Sequence, residues 1–457
     1  MSAPNQYVLD RVELNTAAAT IKGCTAYTIN PNLTTTAMAG GSELDPSTAV
    51  TTAGSPEASI QTLDAATLLP IFFDGTKLVP HLAIASATDL WFGQTTDGGT
   101  RASTGIKARC TKGLLVPVSL VDSGGLAELT CALYMDSSDG TTSPLAYTTG
   151  ATLTSGAAGS PSLWTMRSVV NNVTVLKGLR GIKINFNVKV QRFIPENSIY
   201  PINTTVTGYE PTVEFGSTDA AVALAASGFS GVASGAAGLK CYLGKYDPAS
   251  AGLYSTSVHM ALILKAASPF WPTSISFGNE APVIVNYSAA GKGGDTVAVG
   301  DAPMSLSSSL ALPSESSSAV FMSGPFVDNA TVYEVKSASV DFGLSYVVRG
   351  PETLLWPNHC TIIRREPTFT LVPDSAEFVS GLGAGRAVNT SAAMFLRAVT
   401  ANSEPVASAT ASHIKMSGTA GWIKPTSFGA QHAAIAEPGC MVQLTGGLTI
   451  ATGQAIA

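Results

Sequence analysis

One stretch of this sequence occurs twice, and the repetition constrains the fold more than any other feature of the chain. PENSIYP (195–201) corresponds to PETLLWP (351–357), and EPTVEF (210–215) corresponds to EPTFTL (366–371). In both copies, 16 positions separate the first proline from the proline of the Glu-Pro pair. Because chance rarely preserves so many proline and glutamate positions at one spacing, we infer a duplication and establish its extent before assigning motifs.

The duplication extends beyond this stretch in both directions. Three further pairs of segments correspond: 170–176 with 327–333, 184–190 with 340–346, and 272–278 with 425–429. These segments are offset by 153 to 157 positions, which is the length of a domain and several times that of a solenoid repeat. The sequence therefore predicts tandem β repeat units over residues 166–325 and 326–457.

The N-terminal part of the chain carries a weaker version of the same pattern. Pro56 and Asp64 lie eight positions apart, as Pro211 and Asp219 do, and the residues around them are similar. We therefore expect residues 1–165 to form an N-terminal β domain. This domain is a divergent third repeat on one interpretation and not a repeat on the other.

Local patterns predict several individual elements. If the third repeat is present, residues 5–9 should correspond to 172–176. Asp64 and Asp219 each precede an alanine-containing segment, so we expect each to cap a short helix. Pro117 interrupts an apolar strand and has no N–H for a ladder, so we expect that strand at a sheet edge.

The overall pattern is that of a mainly β protein. Residues 182–190 alternate apolar and polar side chains, as a half-buried strand does. Residues 31–56 are rich in Thr, Ser, Gly and Pro, which predicts a long loop or an extended hairpin. The sequence therefore predicts tandem duplicated β-sandwich or barrel-like domains, each with about one short helix and a long loop or hairpin.

The chain is poor in charge, which bears on what its surface contacts. Only 12% of the residues are charged, and the formal net charge is −6. Isolated soluble proteins usually carry more charge, so we expect much of the surface to be buried against copies of the chain or other subunits. The negative balance also argues against a generally basic nucleic-acid binder.

Composition also suggests a cellular location. We find no apolar run of the roughly 18 residues that a membrane helix needs, and the first residues lack the pattern of a secretory signal. The six cysteines are scattered, with no C-x-x-C pair. We expect them to be small buried residues kept reduced in a cytosol.

Residues with the chemistry of a catalytic or metal site do not cluster in the sequence. The five histidines lack metal-motif spacing, and GKGGDT (291–296) fails the spacing of a phosphate loop. A nucleophile elbow is also missing. We therefore expect a protein that is not an enzyme, with no catalytic, cofactor-binding or metal-binding residue.

The duplicated stretch supplies the candidate functional residues. Glutamates and aromatic residues recur at matching positions, where they either shape a loop or contact a neighbouring subunit. Catalytic carboxylates are rarely duplicated across repeats, and arginines nearby could pair with carboxylates on an adjacent copy. The candidate subunit-contact residues are Glu196, Tyr200, Glu210, Glu352, Trp356 and Glu366.

The repeat layout resembles that of the tail tube proteins of long-tailed bacteriophages. The shared features are tandem β-rich units, each with a Thr/Pro-rich loop followed by a PEASI-like or EPT-like strand. The resemblance implies a β-sandwich with one helix that closes into a six-fold ring through sheets shared between subunits, while a long loop or hairpin contacts the next ring. In members with duplicated units, three chains form a pseudo-hexamer.

The resemblance implies a function as well as a fold. We expect a structural virion protein, assembled in the host cytoplasm, whose stacked rings form a conduit for viral DNA without binding it specifically. Its partners would be copies of itself and other tail proteins, with no cofactor and no membrane. A three-unit chain departs from the two-unit pattern. The alternative is a capsid or decoration protein built of jelly-roll-like β domains, whereas a carbohydrate-binding array would need more than the 7% aromatic residues present.

Overall fold

The computed structural model describes most of the chain. The exceptions are residues 1–5, 40–44, 96–100, 123–124, 154–160, 228–231, 248, 250–253, 256–257, 279–280, 315–319, 389, 401–403, 428–437 and 457. The described residues lie mainly in strands and include three short helices. This confirms the predicted mainly β fold class.

The elements fall into three sets of the same order, which we call unit 1, unit 2 and unit 3. Unit 1 contains β1 (Gln6–Leu14), β2 (Ala19–Ile21), β3 (Cys24–Asn30), β4 (Leu33–Met38), β5 (Thr48–Gly54), β6 (Glu57–Thr62), α1 (Ala65–Phe72), β7 (Leu82–Ile84), β8 (Thr88–Thr95), β9 (Arg101–Cys110), β10 (Gly113–Asp122), β11 (Glu128–Met135) and β12 (Leu145–Thr152). Unit 2 contains β13 (Trp164–Asn171), β14 (Thr174–Leu176), β15 (Leu179–Asn185), β16 (Val188–Phe193), β17 (Asn203–Tyr209), β18 (Thr212–Ser217), α2 (Ala220–Ser227), β19 (Val232–Ala233), β20 (Leu239–Lys245), β21 (His259–Leu264), β22 (Pro269–Gly278), β23 (Ala281–Ala290), a 3-10 turn (Val299–Asp301) and β24 (Met304–Leu310). Unit 3 contains β25 (Val320–Asp328), β26 (Thr331–Tyr333), β27 (Val335–Asp341), β28 (Leu344–Arg349), β29 (His359–Arg365), β30 (Thr368–Pro373), α3 (Ala376–Ser380), β31 (Arg386–Ala387), β32 (Ala392–Val399), β33 (His413–Gly418), β34 (Gly421–Ser427), β35 (Gly439–Leu444) and β36 (Thr449–Gln454).

Each unit is a sandwich of two antiparallel layers. One layer is a five-stranded sheet, in the order β12-β9-β8-β1-β2 in unit 1, β14-β13-β20-β21-β24 in unit 2 and β26-β25-β32-β33-β36 in unit 3. The other layer supplies four strands to a single sheet that runs through all three units, which we call the long sheet. Its order is β3-β6-β11-β10, then β15-β18-β23-β22, then β27-β30-β35-β34.

Apolar side chains fill the space between the layers. Along β11, Leu129, Cys131, Leu133 and Met135 are fully buried and alternate with outward-facing residues, as expected for a strand with one face in a core. Buried residues of all three units form one continuous cluster. Burying each large apolar side chain contributes roughly 1.5–3 kcal/mol, so packing stabilises the units together.

The units begin a few residues earlier than the sequence suggested. The boundaries drawn at 166 and 326 fall inside β13 and β25, which start at Trp164 and Val320. Helices α1 and α2 lie where the sequence placed them. Asp219 precedes α2 and caps it, because it accepts a 3.3 Å hydrogen bond from the N–H of Val222. Asp64 immediately precedes α1, but its side chain makes no capping hydrogen bond and accepts instead from the Thr67 hydroxyl and the N–H of Lys22.

The expected correspondence of residues 5–9 with 172–176 is wrong. Residue 5 lies outside the described part of the chain, and residues 6–9 belong to β1, which pairs with β2 and β8. The turn that corresponds to Asn172 begins at Asn15, since both asparagines follow the first strand of a unit with positive φ, 46° and 56°. The turn after β1 is longer than the turn after β13, so the two sequences do not align here without a gap.

The expected edge position of Pro117 is also wrong. Its strand, β10, lies inside the long sheet and pairs with β11 on one side and with β7 and β15 on the other. The pairing with β7 ends at Leu115 and that with β15 starts at Ser119, so Pro117 lies at a bulge between two partners. Pro272 occupies the same place in β22. A bulge tolerates proline because the ladder is interrupted there.

Candidate self-assembly surfaces

Units 1 and 2 are joined by strand pairing in the long sheet. β10 pairs with β15 so that Ser119 lies opposite Asn185. Beyond this pair, the N–H of Phe186 donates a 2.9 Å hydrogen bond to the carbonyl oxygen of Val118. The ring of Phe186 is fully buried and lies 6.1 Å from that of Phe73 in unit 1. The joint therefore combines a backbone ladder with apolar packing.

Units 2 and 3 are joined in the same register. β22 pairs with β27 so that Ser274 lies opposite Asp341. The N–H of Phe342 donates a 3.1 Å hydrogen bond to the carbonyl oxygen of Thr273, and the Phe342 side chain is fully buried. The fourth strand of one unit thus pairs with the first long-sheet strand of the next at both joints.

A two-stranded hairpin leaves the long sheet in each unit, and we call these hairpins arm 1 (33–54), arm 2 (188–209) and arm 3 (344–365). Each arm follows a residue in the left-handed region: Asn32 (φ 46°), Asn187 (47°) and Gly343 (57°). Asparagine and glycine adopt this conformation at least cost. The residue after each arm closes its base by donating its N–H to that turn residue, at 3.2 Å from Ser55, 3.4 Å from Glu210 and 3.1 Å from Glu366.

Arm 2 lies against unit 1. The N–H of Gly54 donates to the carbonyl oxygen of Ile199 at 2.8 Å, and the N–H of Ser137 donates to that of Pro201 at 2.7 Å. The Tyr200 ring lies so close to Gly54 that a Cβ atom there would be 2.7 Å from the ring. These contacts hold the tip of arm 2 on the preceding unit.

A guanidinium near the tip of arm 2 reinforces this contact. Arg192 donates from Nη2 to the carbonyl oxygens of Met135 at 2.6 Å and Pro56 at 3.1 Å. Burial lowers the pKa of Arg192, while Asp136 at 3.9 Å opposes that shift. The guanidinium thus bridges the end of β11 and the start of β6 in unit 1.

Arm 3 lies against unit 2 through equivalent bonds. The N–H of Tyr209 donates to the carbonyl oxygen of Leu355 at 2.6 Å, and the N–H of Gly293 donates to that of Pro357 at 2.9 Å. Trp356 is 2% exposed and donates from Nε1 to the carbonyl oxygen of Gly294 at 3.0 Å. A side chain at Gly293 would overlap the indole ring, so this joint is closely packed.

The structure places the six candidate residues in two kinds of position. Tyr200 and Trp356 lie in the arm contacts between units of this chain. Glu210 and Glu366 pair at the arm bases, with Lys189 at 2.6 Å and Arg364 at 2.5 Å; such exposed pairs contribute about 0–1 kcal/mol. The remaining two, Glu196 and Glu352, are exposed at the arm tips.

Several contact residues gave no signal in the sequence. Ser137, Gly140, Gly293 and Gly294 receive the arms mainly through their backbone groups. A residue that binds through its backbone can be of almost any type, so the sequence does not mark it. Only the close packing of Tyr200 on Gly54 and of Trp356 on Gly293 requires a small residue at those positions. The prolines of the repeat were the available signal, since their carbonyl oxygens accept the bonds that hold each arm.

The long sheet is open at both ends within the described residues. At one end, β3 pairs only with β6, and at the other, β34 pairs with β35 and briefly with β31. β3 is the counterpart of β15 and β27, because Asn30, Asn185 and Asp341 each precede the turn into an arm. β34 is the counterpart of β10 and β22, because Pro425 lies at the same bulge as Pro117 and Pro272.

Arm 1 has no preceding unit to dock on among the described residues. Every residue of β4 is exposed, and the Leu33 side chain is 51% exposed. The residues at the same position in arms 2 and 3, Val188 and Leu344, are half-buried and pack on the core. Arm 1 therefore presents an apolar surface that its counterparts cover.

The rest of the described chain shows no other reactive centre. No group of three or more His, Cys, Asp or Glu side chains in it could hold a metal ion, and its cysteines are free. Burial raises the pKa of the Cys24, Cys241 and Cys440 thiols to about 12 and that of Cys110 and Cys360 to about 11. These thiols are therefore protonated near neutral pH and react slowly.

Two further findings bear on function. Compared with known proteins, the sequence matches no family model and no curated protein. In the described part of the chain, no helix has the length and apolar character needed to cross a membrane.

Proposed function

We propose that the chain is a structural virion protein that assembles head-to-tail with copies of itself into stacked rings, which form a phage tail tube. One observation carries the proposal. The long sheet ends in two strands, β3 and β34, that are counterparts of the strands paired at both internal joints, and Ser427, at the position where that pairing begins, is the last described residue of β34. The same strand pairing can therefore form between copies, without the hydrogen bond that Phe186 and Phe342 donate, because Pro31 stands at their position and has no N–H.

The physics of open edges favours this arrangement. Unpaired backbone N–H and C=O groups on an edge strand are templates for pairing with another chain. A contact between two different surfaces repeats from copy to copy, and it gives either a closed ring or an open filament. With three units per chain, the six-unit ring that the tail tube resemblance implies is closed by two chains, in place of three.

The outer face of the long sheet suits a conduit for DNA. It carries mostly hydroxyl and amide side chains that alternate with buried residues, including Ser59, Gln61, Thr130, Ser276, Asn286, Ser288, Thr370 and Gln443. Acidic groups on this face include Glu57, Glu128 and Glu214, whereas Lys183 and Lys424 are basic groups on it. Phosphates bind to arrays of lysine and arginine, so a face of this kind lets DNA pass. We assign it to the lumen.

Electron microscopy of the purified chain tests the proposal. Negatively stained samples over a range of concentrations should show rings, and tubes built from stacked rings at the highest concentrations. Closed shells would instead indicate a capsid protein. Single particles of one chain at every concentration would contradict self-assembly altogether.

A further inference from the structure

We propose that arm 1 of one copy docks on unit 3 of the preceding copy, where Asp45 faces Arg365. The inference rests on the proposed head-to-tail assembly and identifies the contact that gives it direction. The occupant of the docking surface is a second copy of this chain. The reason is continuity with the two arm contacts that the chain already makes within itself.

Arm 1 has the construction of the two docked arms. In each arm, the residue after a proline donates its N–H across the hairpin: Ser47 to Met38 at 3.0 Å, Ile202 to Phe193 at 2.9 Å and Asn358 to Arg349 at 3.1 Å. Pro46 therefore corresponds to Pro201 and Pro357, whose carbonyl oxygens accept bonds from the preceding unit. By the same alignment, Asp45 takes the place of Tyr200 and Trp356.

Unit 3 has a surface that corresponds to the two occupied docking surfaces. At the end of the third long-sheet strand, the N–H of Leu444 donates to the carbonyl oxygen of Pro367 at 3.0 Å. Met135 and Gly291 make the same bond in units 1 and 2. Gly446 therefore corresponds to Ser137 and Gly293, whose N–H groups hold the docked arms.

This surface is open in the described chain. Gly446 is exposed, and a Cβ atom there would meet no atom closer than 3.7 Å, whereas the ring of Trp356 occupies the space at Gly293. The second docking position is Arg365, the last residue of arm 3, and it corresponds to Gly54 and Tyr209. Arg365 is also exposed. Both positions that receive an arm elsewhere are thus accessible in unit 3.

The two positions that meet in this contact carry opposite charges. In the arm 2 contact, Tyr200 lies against Gly54. In the contact between copies, Asp45 takes the position of Tyr200 and Arg365 takes the position of Gly54. Among the described residues, neither Asp45 nor Arg365 has an ion-pair partner. The nearby Glu366 pairs with Arg364 and not with Arg365. Opposite charges steer association and fix register, and neither internal contact has opposite charges at these two positions, although Arg192 of arm 2 lies 3.9 Å from Asp136 of unit 1. The charge pair therefore distinguishes the contact between copies from the contacts within one copy.

A charge swap tests this contact in the full-length chain. The variants are Asp45→Arg, Arg365→Asp and the double variant, with Glu404→Arg as a control that makes the same change of charge as Asp45→Arg at an exposed position outside the arms. Sedimentation velocity over a concentration series gives the midpoint of association. We expect each single reversal to raise the midpoint about tenfold and the double variant to restore it, while the control leaves it unchanged.

The outcomes separate this inference from the proposed function. If the wild-type chain associates but single reversals have no effect, or the double variant is as weak as the two single changes combined, the docking of arm 1 is overturned and self-assembly stands. If the double variant restores association but micrographs show closed shells, the docking of arm 1 is supported and the tail tube function is contradicted. A wild-type chain that stays single at all concentrations overturns both.

Discussion

Removing arm 1 is expected to give a folded chain that associates with other copies much more weakly. The ends of the arm are held together, because the N–H of Ser55 donates to the carbonyl oxygen of Asn32 at 3.2 Å and Asn32 Nδ2 donates to that of Ser55 at 3.1 Å. Residues 35–52 can therefore be replaced by two glycines, which keeps Gly54, whose N–H holds arm 2. Two backbone hydrogen bonds and a charge pair lost between copies amount to about 3 kcal/mol, or roughly 100-fold in association.

Removal of arm 2 is the matched control. Its base is closed in the same way, since the N–H of Glu210 donates to the carbonyl oxygen of Asn187 at 3.4 Å and Asn187 Nδ2 donates to that of Glu210 at 3.0 Å. This arm contacts unit 1 of the same chain, so its loss should lower the thermal midpoint of unfolding. The arm 1 variant should keep the wild-type midpoint. Normal assembly of the arm 1 variant would show that the arm is no part of the contact between copies.

The Trp356→Ala substitution is expected to cause the largest loss of stability among single changes in the arms. The side chain is 2% exposed, its Nε1 donates to the carbonyl oxygen of Gly294 at 3.0 Å, and its ring covers Gly293. Truncating a buried tryptophan to alanine typically costs about 3–5 kcal/mol. Urea denaturation should be followed by far-UV circular dichroism, because the substitution removes a tryptophan that fluorescence would report. The unfolding transition that involves unit 3 should have its midpoint at a lower urea concentration than in the wild-type chain.

Tyr200→Ala is the control for this substitution. Tyr200 has the same position in arm 2 but is only half-buried, so truncation removes less contact and should cost about half as much or less. A multidomain chain need not unfold in two states, so the two variants are compared by the shift of each transition. Equal shifts for both variants would contradict the tighter packing assigned to arm 3.

The fold class could be predicted from the sequence because the same residue types recur at the turns of each unit. Pro211 and Pro367 end the arms, and Asp64 and Asp219 precede helices, so these residues recur where the backbone needs them. The sequence could not reveal the joints between units. The partner of β10 is β15, which lies in another unit, and no local pattern tells a strand which unit will cover its edge. Pro117 was misplaced for this reason, because its strand changes partner at the proline.

The arms show a similar division. Residues 31–56 were expected to form a long loop or an extended hairpin, and they contain the hairpin of arm 1. Sequence alone placed Tyr200 and Trp356 at subunit contacts, yet they contact the preceding unit of their own chain. The docking surfaces consist largely of backbone N–H groups of Ser137 and Gly293, which residue types do not reveal.

The most direct measurement is a disulfide between the two open edges. At the internal joints Ser119 lies opposite Asn185, and Ser274 lies opposite Asp341. The corresponding residues at the open edges are Ser427 and Asn30. Residues directly opposite in antiparallel strands lie about 4.5–5.5 Å apart at Cα, a separation that a disulfide spans.

The cross-linked sample is the full chain with Asn30→Cys and Ser427→Cys, oxidised at pH 8, where the native thiols with raised pKa values remain protonated. The Ser119→Cys/Asn185→Cys variant is the positive control, since its disulfide should form within one chain. Thr25→Cys with Ser427→Cys is the negative control, because Thr25 lies about 17 Å further along β3. We expect disulfide-linked dimers and larger species in the first variant and in neither control. Efficient cross-linking in the positive control, with only unlinked chains in the first variant, would contradict it.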